Sequence, residues 1–130
     1  MHALIIEDNV LITATIADEL RERGFSVACA NTCHEAIAHA ASQCPDLITA
    51  DHCLAGESGI EAVRTICEDQ HIPVIYIVAL PDAVLAEEPD AVVLAKPFSS
   101  MELSKAIAEV MPTSYHSSAD GNSVSASPTA

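Results

Sequence analysis

The apolar positions of the chain fall into two alternating patterns. Five short runs are almost continuously apolar: "ALII" (3–6), "SVACA" (26–30), "LITA" (47–50), "VIYIVAL" (74–80) and "AVVLA" (91–95). The stretches between them bring apolar residues back every three or four positions. Continuous runs read as strands buried on both faces, and the spaced pattern reads as amphipathic helix. "VLITATIADELRERGF" (10–25) is apolar at 12, 16 and 20, gathers charge towards its end and closes on Gly24. Asn31 or Thr32 can cap a helix through "CHEAIAHAASQ" (33–43). Ser58 opens a third helix, "GIEAVRTICEDQ" (59–70), with Glu61 at the capping-box position. "PDAVLAEEPD" (81–90) has room for a short fourth helix of two turns at most. Ser99 caps a last helix, "SMELSKAIAEVM" (100–111). Residues 112–130 are rich in Ser, Ala and Thr with little apolar pattern and read as a C-terminal tail beyond a domain at 1–111. No internal repeat is evident.

Strand and helix thus alternate five times. That pattern implies an α/β fold, a doubly wound five-stranded parallel sheet with helices on both sides. In such a sheet the reactive crevice lies at the carboxyl ends of the strands. Glu7 and Asp8 follow the first strand, Asp51 the third and Lys96 the fifth. With a strand order of 2-1-3-4-5, the first and third strands are neighbours, so Glu7, Asp8 and Asp51 converge with Lys96 facing them. Three carboxylates brought together need a cation, and hard oxygen donors suit Mg²⁺. Each residue alone has a plainer reading. Asp51 is a turn or cap residue, Glu7-Asp8-Asn9 caps the first helix, and Lys96 is a solvated lysine. Only the joint placement argues otherwise. His52, beside Asp51, reads as an exposed loop residue.

Composition narrows the function. Half of the 130 residues are apolar, enough for one compact core. Nineteen Asp and Glu against five Lys and Arg give a formal charge of −14. That sign disfavours nucleic acid and anionic membranes, and permits divalent cations and basic protein partners. No apolar run reaches the roughly 18–20 residues of a membrane span. The start, "HALII", lacks the basic flank and cleavage pattern of a signal peptide, so a cytoplasmic location is expected. The five cysteines, at 29, 33, 44, 53 and 67, form no CxxC pair and read as reduced thiols in core or surface positions. The six histidines show no metal-ligand spacing such as HExxH.

Together, "IIEDN", "PDLITAD", the glycine at 59 in "SGIEAV", "PVIYIVA" and "KPF" resemble, in order and spacing, the receiver domain of two-component response regulators. The resemblance spans residues 3–111 and implies a flavodoxin-like fold, from which the 2-1-3-4-5 order is taken. It implies that Asp51 is the phosphoacceptor, attacking the phosphorus of a phosphohistidine on a sensor histidine kinase or histidine phosphotransfer protein. It also implies Mg²⁺ held by Asp8, Asp51 and the backbone carbonyl of Cys53, with Glu7 acting through water and Lys96 pairing with a phosphoryl oxygen. Cys53 and Leu80 would affect hydrolysis of the acyl phosphate.

Two switch positions depart from the family pattern. Where receivers carry Thr or Ser at the end of the fourth strand, this chain has Val78, close to threonine in shape but without the hydroxyl. Val93 stands where the family has a switching aromatic, three positions before the lysine. With the short fourth helix, the expectation is retained phosphoryl chemistry and an altered relay. The 19 residues from 112 on leave no room for an output domain, so the chain resembles a stand-alone bacterial response regulator acting through a downstream protein partner. Such a regulator is not an enzyme in the ordinary sense, and a weak homodimer is compatible with it. The competing readings are a phosphorylation-independent binding module with a degenerate switch, and a flavin carrier. The acidic "EDNVL" loop, lacking glycines and hydroxyls, argues against the carrier.

Overall fold

A computed structural model describes residues 1–112; most of the expected tail, 113–130, lies outside the described residues. The elements run β1 (His2–Ile6), α1 (Val10–Glu22), β2 (Ser26–Ala30), α2 (Cys33–Ser42), β3 (Leu47–Ala50), β4 (Cys53–Leu54), β5 (Glu57–Ser58), α3 (Gly59–Ile66), β6 (Val74–Val78), α4 (Pro81–Glu87), β7 (Val92–Ala95) and α5 (Ser100–Val110). Five strands form one parallel sheet in the order β2-β1-β3-β6-β7. This is the expected 2-1-3-4-5 order once the small antiparallel hairpin β4–β5 is set aside.

Alternation of side chains along the strands divides the core into two layers. Leu4, Ile6, Ile48 and Val78 pack with Ile60 of α3 and Val84 of α4 on one face. Ala3, Ile5, Leu47 and Ile75 pack with Leu20 of α1 and Leu103 of α5 on the other. Leu4, Ile5, Leu20, Leu47, Ile75 and Leu103 are almost fully buried, each worth about 1.5–3 kcal/mol of transfer free energy. Arg23 joins α1 to α5. Its guanidinium donates to Glu19 Oε1 at 2.8 Å, Ser100 O at 3.0 Å and Ser104 Oγ at 2.7 Å. The Arg23 hydrogen bond holds the Glu19 carboxyl below its ordinary range.

The helix starts show which sequence cues carried structural weight. Thr32, not Asn31, caps α2, accepting from Glu35 N at 3.0 Å. Ser99 and Glu102 form a reciprocal capping box on α5. Ser58 makes no side-chain cap bond, so the capping box expected there is absent. Ser58 is instead engaged in β5 as the partner of Cys53, and the Glu61 carboxylate accepts from Arg64 at 3.1 Å. Helix α3 also stops at Ile66 rather than reaching 70. The sequence from Glu68 to His71 offers no apolar side chain to hold another turn on the sheet. Helix α4, with seven residues, is as short as expected. All five cysteines are free, and burial pushes the thiols of Cys29, Cys33 and Cys67 up.

Among the described residues, one hydroxyl fully enclosed in the core lacks a partner. Thr49 in β3 is 1% exposed, lies in register between Ile5 and Ile75, and its Oγ1 makes no hydrogen bond. An unsatisfied buried hydroxyl costs about 1–3 kcal/mol, while valine keeps the shape without the polar atom. Thr49→Val should therefore raise the thermal midpoint by several degrees in a calorimetric melt; a lowered midpoint would contradict the unpaired state of Oγ1.

Candidate functional site

Parallel pairing of β1 with both β2 and β3 brings three strand ends to one line. Ile6 stands beside Ala30 and Ala50. The ladder continues one step past β1 and β3, with Glu7 N donating to Ala30 O and Asp51 N to Ile6 O, both at 2.9 Å. Glu7 and Asp51 therefore leave adjacent strands side by side. On the far side, β7 pairs with β6, and Lys96 N donates to Val78 O at 2.9 Å. This places the lysine at the same edge of the sheet.

The side chains then meet. Lys96 Nζ donates to Glu7 Oε1 at 2.9 Å and to Asp51 Oδ2 at 3.1 Å. The other Glu7 oxygen accepts from Asn9 N at 3.1 Å, and the other Asp51 oxygen from His52 N at 2.8 Å. The Glu7 side chain is 2% exposed, Asp51 12% and Lys96 16%. Burial pushes the Glu7 carboxyl above its ordinary range, and its hydrogen bonds to Lys96 and Asn9 only partly offset this. Burial alone would lower the Lys96 ammonium, but its hydrogen bonds to Glu7 and Asp51 outweigh that and raise it. Asp8 stays exposed, its Oδ2 accepting from Ala55 N at 3.0 Å. A cleft of about 200 Å³ lies beside it, lined in part by Glu7, Thr13, Asn31 and Glu35.

Glu7, Asp8 and Asp51 each offer one oxygen, and these atoms all lie within 4.8 Å of one another. Three carboxylates against one lysine leave negative charge that a hard divalent cation would neutralise, and an all-oxygen donor set suits Mg²⁺. Cys53 opens β4 two residues beyond Asp51, with its side chain exposed. Val78 is fully buried at the end of β6, Val93 is partly buried in β7, and Leu80 is exposed. Val78 carries no hydroxyl and Val93 no aromatic ring.

Three features of the site go beyond the sequence reading. His52 is not exposed filler: its side chain is 21% exposed, with Nε2 3.5 Å from Glu87 Oε2 on α4. The β4–β5 hairpin turns on Ala55 (φ 28°) and Gly56 (φ 87°), and it is this turn that presents Ala55 N to Asp8. A two-residue turn with positive φ at both positions is a known hairpin link and favours glycine, so Gly56 was the available signal. Gly59 packs so closely under the loop that an added Cβ would collide with the Asp51 carbonyl oxygen, and its N–H donates to His52 O at 2.8 Å. The glycine thus holds the backbone from which Asp51 projects.

Comparison with known proteins places this geometry. The response regulator receiver domain family matches residues 3–108. The phyllosphere-induced regulator PhyR of Methylorubrum extorquens is 38% identical over 113 residues, covering 83% of this chain and 42% of its own length. The transcriptional regulatory protein PdtaR of Mycobacterium tuberculosis is 34% identical over 111 residues, covering 82% and 54%. The chain thus spans about half the length of these curated relatives. The solution structure of the receiver domain of Erythrobacter litoralis PhyR superposes with a TM-score of 0.76 at 32% identity, covering 88% of this chain and 95% of that one.

Removing the lysine would strand two carboxylates. Lys96→Met should lower stability by about 3 kcal/mol at neutral pH, the order expected when one partner of a buried ion pair is lost. The sign of the pH dependence follows from Glu7. Its raised carboxyl favours folding while protonated, and that contribution is lost as pH rises through its folded-state value. The deficit of Lys96→Met should therefore shrink as pH falls and Glu7 takes up a proton. Urea denaturation of both proteins across acidic to neutral pH measures it, and a pH-independent deficit would contradict the coupling.

Proposed function

The chain belongs to the response regulator receiver domain family of two-component signalling, and from that premise we propose that it accepts a phosphoryl group on Asp51 in an Mg²⁺-dependent phosphorelay. The observation that carries the reading is the joint position of Asp51, Asp8, Glu7 and Lys96 at one edge of the sheet. A carboxylate oxygen of Asp51 attacks the phosphorus of a phosphohistidine on a kinase or phosphotransfer partner. The new O–P bond forms as the P–N bond breaks, and the electron pair leaves with the imidazole nitrogen, which takes a proton. Lys96 Nζ, already 3.1 Å from Asp51 Oδ2, turns one of its N–H groups to a phosphoryl oxygen. Glu7 keeps the ammonium aimed and charged. The His52 N–H fixes the rotation of the Asp51 carboxylate, and Gly59 fixes its backbone. Held by Asp8, Asp51 and the Cys53 carbonyl, with Glu7 acting through water, Mg²⁺ would neutralise charge on the transferring group.

In this reading the protein is a phosphoryl acceptor that signals by binding, not an enzyme turning over free substrate. Residues 1–111 are the receiver unit and 112–130 a separate tail, with the partner a downstream protein in the cytoplasm. One observation favours a second reading, a binding module that works without phosphate: Val78 is buried and has no hydroxyl to meet a phosphoryl group. A hydrogen bond to a charged group is worth about 1.5–3 kcal/mol, so its loss weakens the coupling of phosphate to the distant surface without removing the acceptor.

Incubation with acetyl phosphate and Mg²⁺, followed by rapid intact mass measurement under acid, should give one phosphoryl adduct on the native protein and none on Asp51→Asn. No adduct from acetyl phosphate or from a phosphorylated histidine donor would move the reading to the binding module. Beryllofluoride reports the relay separately. With binding at Asp51 demonstrated, amide spectra of free and bound protein should nearly coincide across residues 79–110. Large shifts there would mean that the ordinary switch operates despite Val78 and Val93.

A further inference from the structure

At the opposite end of the sheet from Asp51, a groove of about 940 Å³ runs between the end of α3, the start of β6 and the segment joining α4 to β7. Its lining includes the apolar residues Val63, Ile72, Val74, Ala91 and Val92 together with Tyr76. The cause lies in the short fourth helix. Seven residues give α4 a length of about 10 Å at 1.5 Å per residue, so it covers only part of the β6–β7 face. Arg64 ties α3 across the gap to the end of α4, donating to Glu88 Oε2 at 2.6 Å.

A second observation marks the groove as more than a packing defect. Tyr76 is 4% exposed, yet its hydroxyl has no hydrogen-bond partner among the described residues. Burial foremost, and then the nearby charge of Glu88, push the phenol above its ordinary range, so it stays protonated and able to donate. Buried phenols usually find a partner. Here the groove supplies the open side.

The polar lining of the groove is acidic, with Glu68, Asp69, Glu88, Asp90 and Glu109 against Arg64 and His71. That charge selects among occupants. The chain's own segment 113–130 carries Asp120 and no Lys or Arg. A second copy brings a formal charge of −14. Neither complements the rim. We propose that the groove is the docking site for an amphipathic helix of a partner protein, its apolar side chains covering the partly buried Val74, Ala91 and Val92 at the start of β6 and β7 and its Lys and Arg side chains meeting the rim. An acceptor group on that helix takes the Tyr76 hydroxyl. The site goes beyond the phosphorelay reading and stands whether or not Asp51 accepts phosphate.

The probe is a synthetic helical peptide with Leu at i, i+3, i+4 and i+7 and Lys on its other face. Controls are the same peptide with Glu for Lys and a scrambled Lys peptide. Added to the full ¹⁵N-labelled chain, the Lys peptide should bind saturably, with amide shifts concentrated at Cys67, Ile72, Val74, Tyr76, Ala91 and Val92. The two control peptides should bind at least about tenfold more weakly. Tyr76→Phe should weaken binding about three- to tenfold, the range for one hydrogen bond. The surface charge reversals Glu68→Lys and Asp90→Lys, which leave the core untouched, should weaken it further. Equal binding of the Glu or scrambled peptide, shifts centred on Val10, Leu11 and Met101 instead, or no saturable binding would overturn the proposal. So would a change in the groove's own amides on deleting 113–130, or a dimer in sedimentation that Asp90→Lys dissolves. Those two results would assign the groove to the tail or to a second copy.

Discussion

The bridge from Lys96 to Glu7 and Asp51 is the interaction on which the rest of this molecule turns. It joins the ends of three strands, β1, β3 and β7, that are far apart in sequence and meet only when the sheet has its full order. A shift of one residue in the pairing of β1 with β3 would send Asp51 to the other face, because side chains alternate along a strand. The continuous burial of β1 and β3, with Leu4, Ile5, Ile6, Leu47 and Ile48 all at or near zero exposure, holds that register. The core therefore does more than stabilise: it places a buried carboxylate where burial raises its proton affinity and the hydrogen bond from a lysine partly offsets that rise. Such a cluster is costly to assemble, since desolvation of charges opposes it. It persists because packing over-determines it.

Much of this was legible in the sequence, for a definite reason. A strand buried on both faces must read as a continuous apolar run, which holds for β1, β3 and β6; the runs of the edge strands β2 and β7 also joined the parallel sheet, although they are partly exposed. An acid or lysine directly after such a run has nowhere to stand but the carboxyl edge. The convergence of Glu7, Asp8, Asp51 and Lys96 followed from that rule plus a strand order taken from the resemblance. What failed was local and depended on contacts that no linear pattern encodes. Ser58 had the right residue type for a cap, but pairing with Cys53 engaged it in a strand. His52 had the look of loop filler because Glu87, 35 residues away, becomes its neighbour only through the packing of α4. Thr49 shows the limit from the other side: its residue type predicts a hydrogen bond, and the core gives it none.

The loop after β3 is anchored on three sides. Its Asp51 carbonyl rests on Gly59 at the start of α3, its Ala55 N–H reaches Asp8 beyond β1, and its His52 ring faces Glu87 on α4. Val78 carries no hydroxyl and Val93 no aromatic ring. Among the described residues, the loop meets the α3–α4 side through the Gly59 contact, the His52–Glu87 pair and the packing of buried Leu54. Glu87 lies within 4.0 Å of Arg64, which also holds Glu88, so one network of side chains runs from beside Asp51 to the wall of the open groove. The short α4 thus covers part of the sheet and also reaches the site, through Glu87 beside His52. Whatever occupies the β6–β7 face must reckon with Arg64 and Glu88, the same groups through which the loop is braced.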